Sequence, residues 1–297
     1  MRKANNLVLL FFLLISISGI GQPSIGNEGF EVIKESYSYD KNLPFNAQVK
    51  EIKKFAGYTR EEFFFTGVGE RVGAYLATPT NGKAPFELVL LIEGMGGSKE
   101  GWWARDNWSN GLETTEALIK AGFAVFTIDA AMHGERGPNP DIFPKPESLR
   151  KSELMHTVHT MIKHTAQDYM RALDYLATRD DINTDKVGVY GLSMGGAVTF
   201  ILTGLDNRIR TAVAGVAVVY GNQYSAVNAY NFTSRITDKP ILMLMGSTDG
   251  YYTPDAATQL FNSIGGKNNE LIIFEEGHKV SSKYVPVIAD WFEKELH

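Results

Sequence analysis

Residues 191–196 read Gly-Leu-Ser-Met-Gly-Gly and place a serine between glycines, directly after the strand-like segment 186–190, Lys-Val-Gly-Val-Tyr. The residues that follow have helical character. A Gly-x-Ser-x-Gly turn between a strand and a helix is the nucleophile elbow, whose strained backbone projects the serine hydroxyl from the carboxyl end of a sheet. The pattern predicts a nucleophilic Ser193, and a tight turn with an incidental serine is the alternative.

A histidine downstream of this serine is the expected base, because a serine hydroxyl is a poor nucleophile without a neighbouring imidazole. In chains with this elbow the order is serine, carboxylate, histidine. Two of the 6 histidines follow Ser193, and His297 stands at the chain terminus, where ends fray. His278 follows the strand-like segment 271–274 and a glycine. We predict His278 as the base, with a solvated loop histidine as the alternative.

The carboxylate that orients this histidine is expected at the end of the strand between the elbow and the histidine. Asp249 follows the apolar segment 241–245 and therefore belongs to the catalytic side of the sheet. Asp238 precedes the same segment and fits a turn at the opposite end. Glu275 and Glu276 lie on the histidine's own loop. We predict Asp249 as the acid.

Glycines after the strand-like segment 88–92 indicate a place where the backbone approaches a substrate closely. This loop reads Glu-Gly-Met-Gly-Gly over 93–97, and its amides suit a developing oxyanion. We predict an oxyanion hole formed by the N–H groups of Met95 and Met194. Phosphate or dinucleotide binding is the alternative use of such glycines, but the spacing does not match Gly-x-Gly-x-x-Gly.

Two further groups of residues are candidates for a role in the site. Trp102 and Trp103 closely follow the glycine loop and are candidates for the wall of a substrate pocket, with ordinary helix packing as the alternative. His156 and His159, with Glu153 three residues earlier, could share a helix face and hold a metal. Their spacing matches no established zinc pattern, and serine chemistry needs no metal. We expect neither a metal nor an organic cofactor.

The elements that must position these residues alternate along the chain. Apolar, β-rich segments occur at 61–66, 71–77, 87–93, 123–129, 186–190, 211–219, 240–246 and 270–274. Helical patterns separate the later ones, at 114–121, 165–178, 196–205, 256–263 and 285–296. Alternating strands and helices form right-handed crossovers, while the first two strands are joined by a short turn. We predict an α/β fold with a mostly parallel eight-stranded sheet, helices on both faces and an antiparallel N-terminal hairpin.

Two connections, 130–164 and 220–239, are longer than a compact crossover needs. Both leave the carboxyl ends of predicted strands, so they are candidates for the walls or lid of a substrate pocket. Neither carries the long, strongly amphipathic helix expected of an interface-activated lipase. We assign 59–297 to one catalytic domain and expect 22–58 to be an extension that packs on its outside.

Composition limits the partners and the compartment. The 297 residues include no cysteine, and the formal net charge of -5 comes with no basic stripe, so nucleic acid is not an expected partner. Residues 1–21 combine a positive start, an apolar run and small residues before Gln22, which predicts a signal peptide and export to the periplasm or medium. An uncleaved N-terminal anchor is the alternative. The oligomeric state is left open.

With these motifs in place, the chain resembles the α/β-hydrolases, and most of all their dienelactone hydrolase and acetyl xylan esterase-like branch. The resemblance runs from about residue 61 to the C-terminus and includes 90–99, 128–137, 185–196 and 246–249. It implies the same nucleophile, acid and base as above. It also implies that His133 and Arg136 hold the loop after Asp129. One departure is Glu93, because the family usually has histidine before the glycine of the oxyanion loop.

The sequence therefore predicts an exported serine hydrolase that cleaves carboxylic esters of small or medium acyl groups through an acyl-enzyme. An amidase or peptidase with the same triad is the nearest alternative. A catalytically silent binding protein with the hydrolase fold is the alternative from another class, and its expected sign would be a missing triad residue.

Overall fold

The computed structural model describes residues 23–105, 107–137, 151–279 and 281–297, without the side chains of 151–154. The strands are β1 (Gln48–Phe55), β2 (Tyr58–Thr66), β3 (Arg71–Pro79), β4 (Phe86–Ile92), β5 (Ala124–Ile128), β6 (Ile182–Leu192), β7 (Ile209–Gly215), β8 (Ile241–Gly246) and β9 (Glu270–Phe274). They form one sheet in the order β1-β2-β3-β5-β4-β6-β7-β8-β9.

The sheet is antiparallel at one end and parallel through the rest. Strand β2 pairs antiparallel with β1 and β3, and β3 pairs antiparallel with β5. All pairs from β5 through β4 to β9 are parallel. Parallel strands leave their carboxyl ends at one edge, so the segments after β4, β6, β8 and β9 meet there. The predicted α/β fold is confirmed.

The sheet has nine strands instead of the predicted eight, and the additional strand is β1. Every residue of β1, Gln-Val-Lys-Glu-Ile-Lys-Lys-Phe, is exposed, so the strand lacks the alternation of apolar and polar residues that marks a half-buried strand. Backbone pairing with β2 holds it in place, from Phe55 opposite Tyr58 to Gln48 opposite Phe64. The stacked rings of Phe55 and Tyr58 add to this pairing. A strand exposed along its whole length leaves little trace in the hydrophobic pattern of the sequence.

Helices cover both faces of the sheet. They are α1 (Asn27–Glu35), α2 (Gly111–Lys120), α3 (Lys151–Leu176), α4 (Met194–Leu205), α5 (Tyr230–Thr233), α6 (Pro254–Asn262) and α7 (Tyr284–Leu296). Helices α2 and α7 bury apolar side chains with one face of the sheet, and the other five bury theirs with the opposite face. Neighbouring residues of β4 alternate between the two cores, with Leu88 and Leu90 in one and Val89 and Leu91 in the other.

The described part of the predicted extension, residues 23–58, contributes a helix and a strand to the packed domain. Strand β1 belongs to the central sheet, so a boundary at residue 58 falls inside the sheet. Helix α1 buries Phe30 against Phe232 with ring centroids 5.8 Å apart. The Tyr37 hydroxyl donates a hydrogen bond to the carbonyl of Ala226 at 2.9 Å. Both contacts reach the connection before β8, so α1 helps to hold that connection in place.

The two long connections differ from the prediction in one respect. Helix α3 begins at Lys151, so much of 130–164 is the first part of the crossover helix that leads to β6. Its side chains Val158 and Ile162 are buried in the core. Residues 138–150 lie outside the described residues. The two connections meet where His159 Nε2 lies 3.4 Å from Ser225 Oγ.

The predicted signal peptide, 1–21, lies outside the described residues. Among the helices that the structure does describe, none is both long and apolar enough to span a membrane.

Candidate active site

Ser193 occupies the sharp turn between β6 and α4. Its φ of 54° and ψ of -107° lie in a region that residues other than glycine rarely adopt. The backbone N–H of Ser193 donates to the carbonyl of Gly215 at 2.8 Å, which fixes the turn to β7. A Cβ at Gly191 would lie 2.1 Å from the carbonyl oxygen of Gly195. The turn therefore excludes a side chain at Gly191 and directs the Ser193 side chain, which is largely buried, toward His278.

Ser193, His278 and Asp249 form one hydrogen-bonded chain. Ser193 Oγ lies 2.9 Å from His278 Nε2, and His278 Nδ1 lies 2.7 Å from Asp249 Oδ2. A carboxylate accepts hydrogen bonds, so Nδ1 carries the imidazole proton and Nε2 is left to accept from the serine hydroxyl. The three side chains come from the segments after β6, β8 and β9, in the order that the sequence predicted.

The carboxylate of Asp249 is buried and fully engaged. Its Oδ1 accepts the backbone N–H groups of Tyr251 at 2.8 Å and Tyr252 at 3.2 Å, while Oδ2 faces the histidine. The rival Glu276 instead contacts Ser281 Oγ at 2.7 Å and Lys283 Nζ at 3.3 Å. Asp249, and not Glu276, is thus the carboxylate that contacts the imidazole of His278.

The two predicted oxyanion residues lie on adjoining segments. Met194 is the first residue of α4, and first-turn amides have no partner within their own helix. Met95 lies in the loop that follows β4. A Cβ on Gly195 would lie 2.3 Å from the carbonyl oxygen of Ile92, so the start of α4 packs directly on the end of β4. This proximity puts the backbone of both segments beside Ser193.

Side chains tie the loop after β4 to the segment after β5. Glu93 Oε1 accepts the backbone N–H of Ala130 at 2.9 Å. The N–H of Gly96 donates to His133 Nε2 at 2.9 Å, and His133 Nδ1 lies 3.0 Å from the carbonyl of Ala131. Because Nε2 accepts and Nδ1 donates, His133 is neutral in this arrangement. Burial lowers the pKa of His133 and thereby favours this neutral form.

A buried ion pair also joins the segments after β4 and β5. Lys99 Nζ is 2.9 Å from Asp129 Oδ2, and both side chains are completely buried. The same ammonium lies 3.0 Å from Glu100 and 3.2 Å from Glu135. Arg136 donates to the backbone carbonyl of Asp129 at 2.9 Å, which fixes the end of β5. These contacts position the segment from which His133 reaches the loop after β4.

A cavity of about 380 Å³ opens beside the elbow and is lined by Gly94, Leu192 and Trp102 among others. Trp102 is buried, and its ring meets the edge of Tyr190 with centroids 5.6 Å apart. The predicted partner Trp103 packs instead on Tyr75, with centroids 5.0 Å apart. The two tryptophans therefore have different surroundings: one borders the cavity from the core, and the other packs against β3.

Trp108, which the sequence did not indicate as a pocket residue, also lines this cavity. Its ring stacks on the imidazole of His278 at a centroid distance of 6.1 Å and an interplanar angle of 18°. It is 43% exposed, so the indole stands at the mouth of the site. Asn107 holds the loop by donating to the carbonyl of Gly101 at 2.7 Å. No local sequence pattern around Trp108 indicates this contact, because His278 is distant from it along the chain.

The predicted alternative of a metal site has little support in the described residues. His159 faces Ser225, as described above, and the side chain of Glu153 lies outside the described residues. In the part of the chain that the structure describes, no three His, Asp or Glu side chains converge as metal ligands would.

Comparison with known proteins agrees with this architecture. The model of the dienelactone hydrolase family matches residues 72–279. "Putative hydrolase YtaP" from Bacillus subtilis (strain 168) is 30% identical over 148 residues, which are 48% of each chain. This chain thus spans about half the length of that curated relative.

Solved structures match over most of the chain. The acetyl xylan esterase from Paenibacillus sp. R4 superposes with a TM-score of 0.70 and 18% identity, covering 93% of this chain and 98% of that one. Acetyl xylan esterase 1 from Thermoanaerobacterium sp. JW/SL YS485 gives a TM-score of 0.72 and 17% identity, covering 93% and 96%. At these identities the likeness establishes the fold. With its fold, its serine elbow and the match over 72–279, the chain belongs to the dienelactone hydrolase family.

Proposed function

We propose that this protein hydrolyses carboxylic esters of small or medium acyl groups, with Ser193 as the nucleophile. The observation that carries the proposal is the hydrogen-bonded chain from Ser193 Oγ through His278 to Asp249, with contacts of 2.9 and 2.7 Å. A serine at an elbow, an imidazole with a free Nε2 acceptor and a buried carboxylate are what nucleophilic catalysis by serine requires.

The reaction proceeds in two halves. Ser193 Oγ attacks the ester carbonyl carbon while His278 Nε2 takes the hydroxyl proton, and Asp249 stabilises the resulting imidazolium. The N–H groups of Met95 and Met194 receive the carbonyl oxygen as it becomes negative. The tetrahedral intermediate collapses, His278 gives its proton to the leaving alkoxide, and the alcohol departs. His278 then removes a proton from water, whose oxygen attacks the acyl carbonyl carbon to form a second tetrahedral intermediate. This intermediate collapses with cleavage of the bond to Ser193 Oγ, His278 returns its proton to that oxygen, and the carboxylic acid departs.

The size of the acyl group follows from the space beside the elbow. The cavity there measures about 380 Å³ and is lined by Trp102 and Trp108 among others. This volume is near the lower end of the range for ligand pockets, which suits a short acyl chain better than a fatty acid. Two structural neighbours are acetyl xylan esterases by name, so an acetylated carbohydrate is the natural substrate we propose to test.

The alternatives make different predictions for the leaving group and for reactivity. An amidase or peptidase with the same residues would turn over matched amides and esters at comparable rates. A catalytically silent protein would bind substrates without acylation of Ser193. The complete Ser193–His278–Asp249 chain favours the esterase and amidase proposals over the silent one.

A labelling experiment joined to a substrate series tests the proposal. A fluorophosphonate probe should modify wild type at Ser193, and the Ser193→Ala variant should lose the label and about 10⁵- to 10⁶-fold of ester turnover. Among 4-nitrophenyl esters, kcat/KM should be highest from acetyl to butyryl and should exceed that of the matched anilides. Labelling that persists in the alanine variant would refute the nucleophile, and a maximum at long acyl chains would refute the substrate class.

We also propose that the protein is exported and begins near Gln22 when mature. The support is the charge and apolar pattern of 1–21. N-terminal sequencing of protein recovered from the periplasm or medium should start at about residue 22, whereas a full-length chain in the membrane fraction would make the segment an anchor.

A further inference from the structure

Glu93 is a buried acid at the first position of the loop after β4. It is 4% exposed. Its Oε1 accepts one hydrogen bond, from the backbone N–H of Ala130 at 2.9 Å. Its Oε2 is also buried, and no polar group of the described residues lies within hydrogen-bonding distance of it. A buried carboxylate with one donor for two oxygens is poorly solvated.

Among the described residues, no ion pair neutralises this acid. The ammonium of Lys99, whose charge acts on Glu93, is already shared by three other carboxylates: Asp129 at 2.9 Å, Glu100 at 3.0 Å and Glu135 at 3.2 Å. The neighbouring imidazole of His133 accepts the N–H of Gly96 and is therefore neutral. Of the charged groups that face Glu93, the carboxylates outnumber the cations.

Glu93 also stands directly beside the proposed oxyanion hole. It is joined by one residue, Gly94, to Met95, whose N–H is one of the two proposed donors. A Cβ at Gly195, the residue after Met194, would lie 2.7 Å from the backbone oxygen of Glu93. An ionised carboxylate at this position would oppose the negative charge that develops on the substrate oxygen.

We propose that Glu93 is a positioning residue that works in its protonated form, in which it ties the oxyanion loop to Ala130 without bringing a negative charge to the oxyanion. This inference rests on the esterase function proposed above. The carbonyl oxygen of the neutral acid accepts the Ala130 N–H, and the proton stays on the other oxygen.

The electrostatics of the site agree with this assignment. Burial, followed by the charge of Asp129, raises the pKa of Glu93 to about 8, against the lowering effect of the Ala130 hydrogen bond. The acid is then neutral around pH 7 and ionises in mildly alkaline solution. Ionisation should weaken stabilisation of the oxyanion, so catalysis should decline on the alkaline side.

A pH–rate profile of matched variants tests the proposal. The substrate is 4-nitrophenyl acetate, which is uncharged, and rates are corrected for spontaneous hydrolysis. For wild type, kcat/KM should fall by about tenfold or more between about pH 7 and about pH 10. Glu93→Gln keeps the shape and the hydrogen-bond acceptor but cannot ionise, so its profile should be flat over this range. Glu93→His, with the side chain usual in the resembling family, should also lack the alkaline decline.

Glu135→Gln serves as the control, because Glu135 contacts Lys99 and its side chain is 46% exposed. This variant should keep the alkaline decline. An alkaline decline of equal size in Glu93→Gln would overturn the proposal, and so would a wild-type profile that stays flat to pH 10. A flat wild-type profile would overturn the proposal without any variant. The proposal therefore remains testable even if Glu93→Gln does not fold.

The rate of fluorophosphonate labelling, measured at the same pH values, separates this proposal from the esterase function. If the probe reacts and its rate shows the Glu93-dependent decline but no ester is hydrolysed, the esterase proposal fails and the role of Glu93 holds. If esters are hydrolysed without any alkaline decline, the role of Glu93 fails and the esterase proposal holds.

Discussion

Two buried carboxyl groups flank Ser193, and their surroundings differ. Asp249, after β8, is 5% exposed and receives two backbone N–H groups and the imidazole of His278. Glu93, after β4, is 4% exposed and receives one backbone N–H. Equal burial therefore accompanies unequal hydrogen bonding. A carboxylate with three donors is suited to carry charge, whereas a carboxyl with one donor is suited to stay neutral.

In the proposed mechanism the site uses acids in two states. The Asp249 carboxylate would stabilise the imidazolium of His278, on the side where positive charge develops. The proposed neutral acid, Glu93, would lie on the side where negative charge develops, and a charge there would be unfavourable. The number of donors within reach of each oxygen, more than the depth of burial, distinguishes the two carboxyl groups.

The largest expected effect comes from removing charge at the ionised acid. Asp249→Asn should reduce kcat on the order of 10⁴-fold, because an amide no longer fixes the histidine tautomer or stabilises the imidazolium. Glu93→Gln, the corresponding change at the other acid, should leave kcat at pH 7 within about threefold of wild type. Steady-state kinetics on one ester compare the two variants directly. Similar losses of kcat in the two variants would contradict the proposed difference in charge between Asp249 and Glu93.

The second prediction concerns stability at the neutral acid. The pKa of Glu93 is raised in the folded chain from its ordinary value of 4.5 to about 8, so the unfolded chain releases a proton that the folded chain retains between these values. Stability should therefore fall as pH rises through this window, relative to Glu93→Gln, by about 1–4 kcal/mol in the free energy of unfolding.

Urea denaturation of both proteins at about pH 5, 6, 7 and 8 measures this difference. The difference in the free energy of unfolding between Glu93→Gln and wild type should grow with pH across the series and level off above about pH 8. A difference in the free energy of unfolding that stays constant with pH would show that Glu93 titrates alike in the folded and unfolded chains.

The smallest expected effect concerns Trp108, which lies between His278 and the loop that carries Glu93. Trp108 stacks on His278, and a Cβ on Gly94 would lie 2.9 Å from the indole. Trp108→Ala should lower kcat/KM for acetyl esters about tenfold and should reduce the preference for short acyl chains. Trp103→Ala is the matched control, since Trp103 packs on Tyr75 instead. An unchanged acyl preference in Trp108→Ala would remove the indole from the substrate pocket.

Much of the fold and of the proposed triad could be predicted because their signals are local or follow chain order. The elbow at Ser193 is a short strand–turn–helix pattern whose glycines are required by close backbone contact. Asp249 and His278 follow from their positions after consecutive strands, since parallel strands bring their carboxyl ends together. The order of residues along the chain was sufficient to pair them.

Other features carry no such local signal. Strand β1 is exposed on both faces and held by backbone pairing, so no alternation of side chains marks it. Helix α3 begins earlier than its clearest helical pattern because Val158 and Ile162 are buried by the core. Trp108 is separated from His278 by most of the chain, and only the packed fold brings their rings together.

The ionisation of Glu93 is the clearest example of a property that tertiary structure determines and sequence alone does not. The sequence alone determined that an acid stands where the resembling family usually has histidine. It could not determine whether that acid is charged, because the charge depends on groups distant in the chain: the N–H of Ala130, the ammonium of Lys99 and the carboxylates that share it. Burial and hydrogen bonding set the ionisation of a carboxyl group, and both exist only in the folded chain.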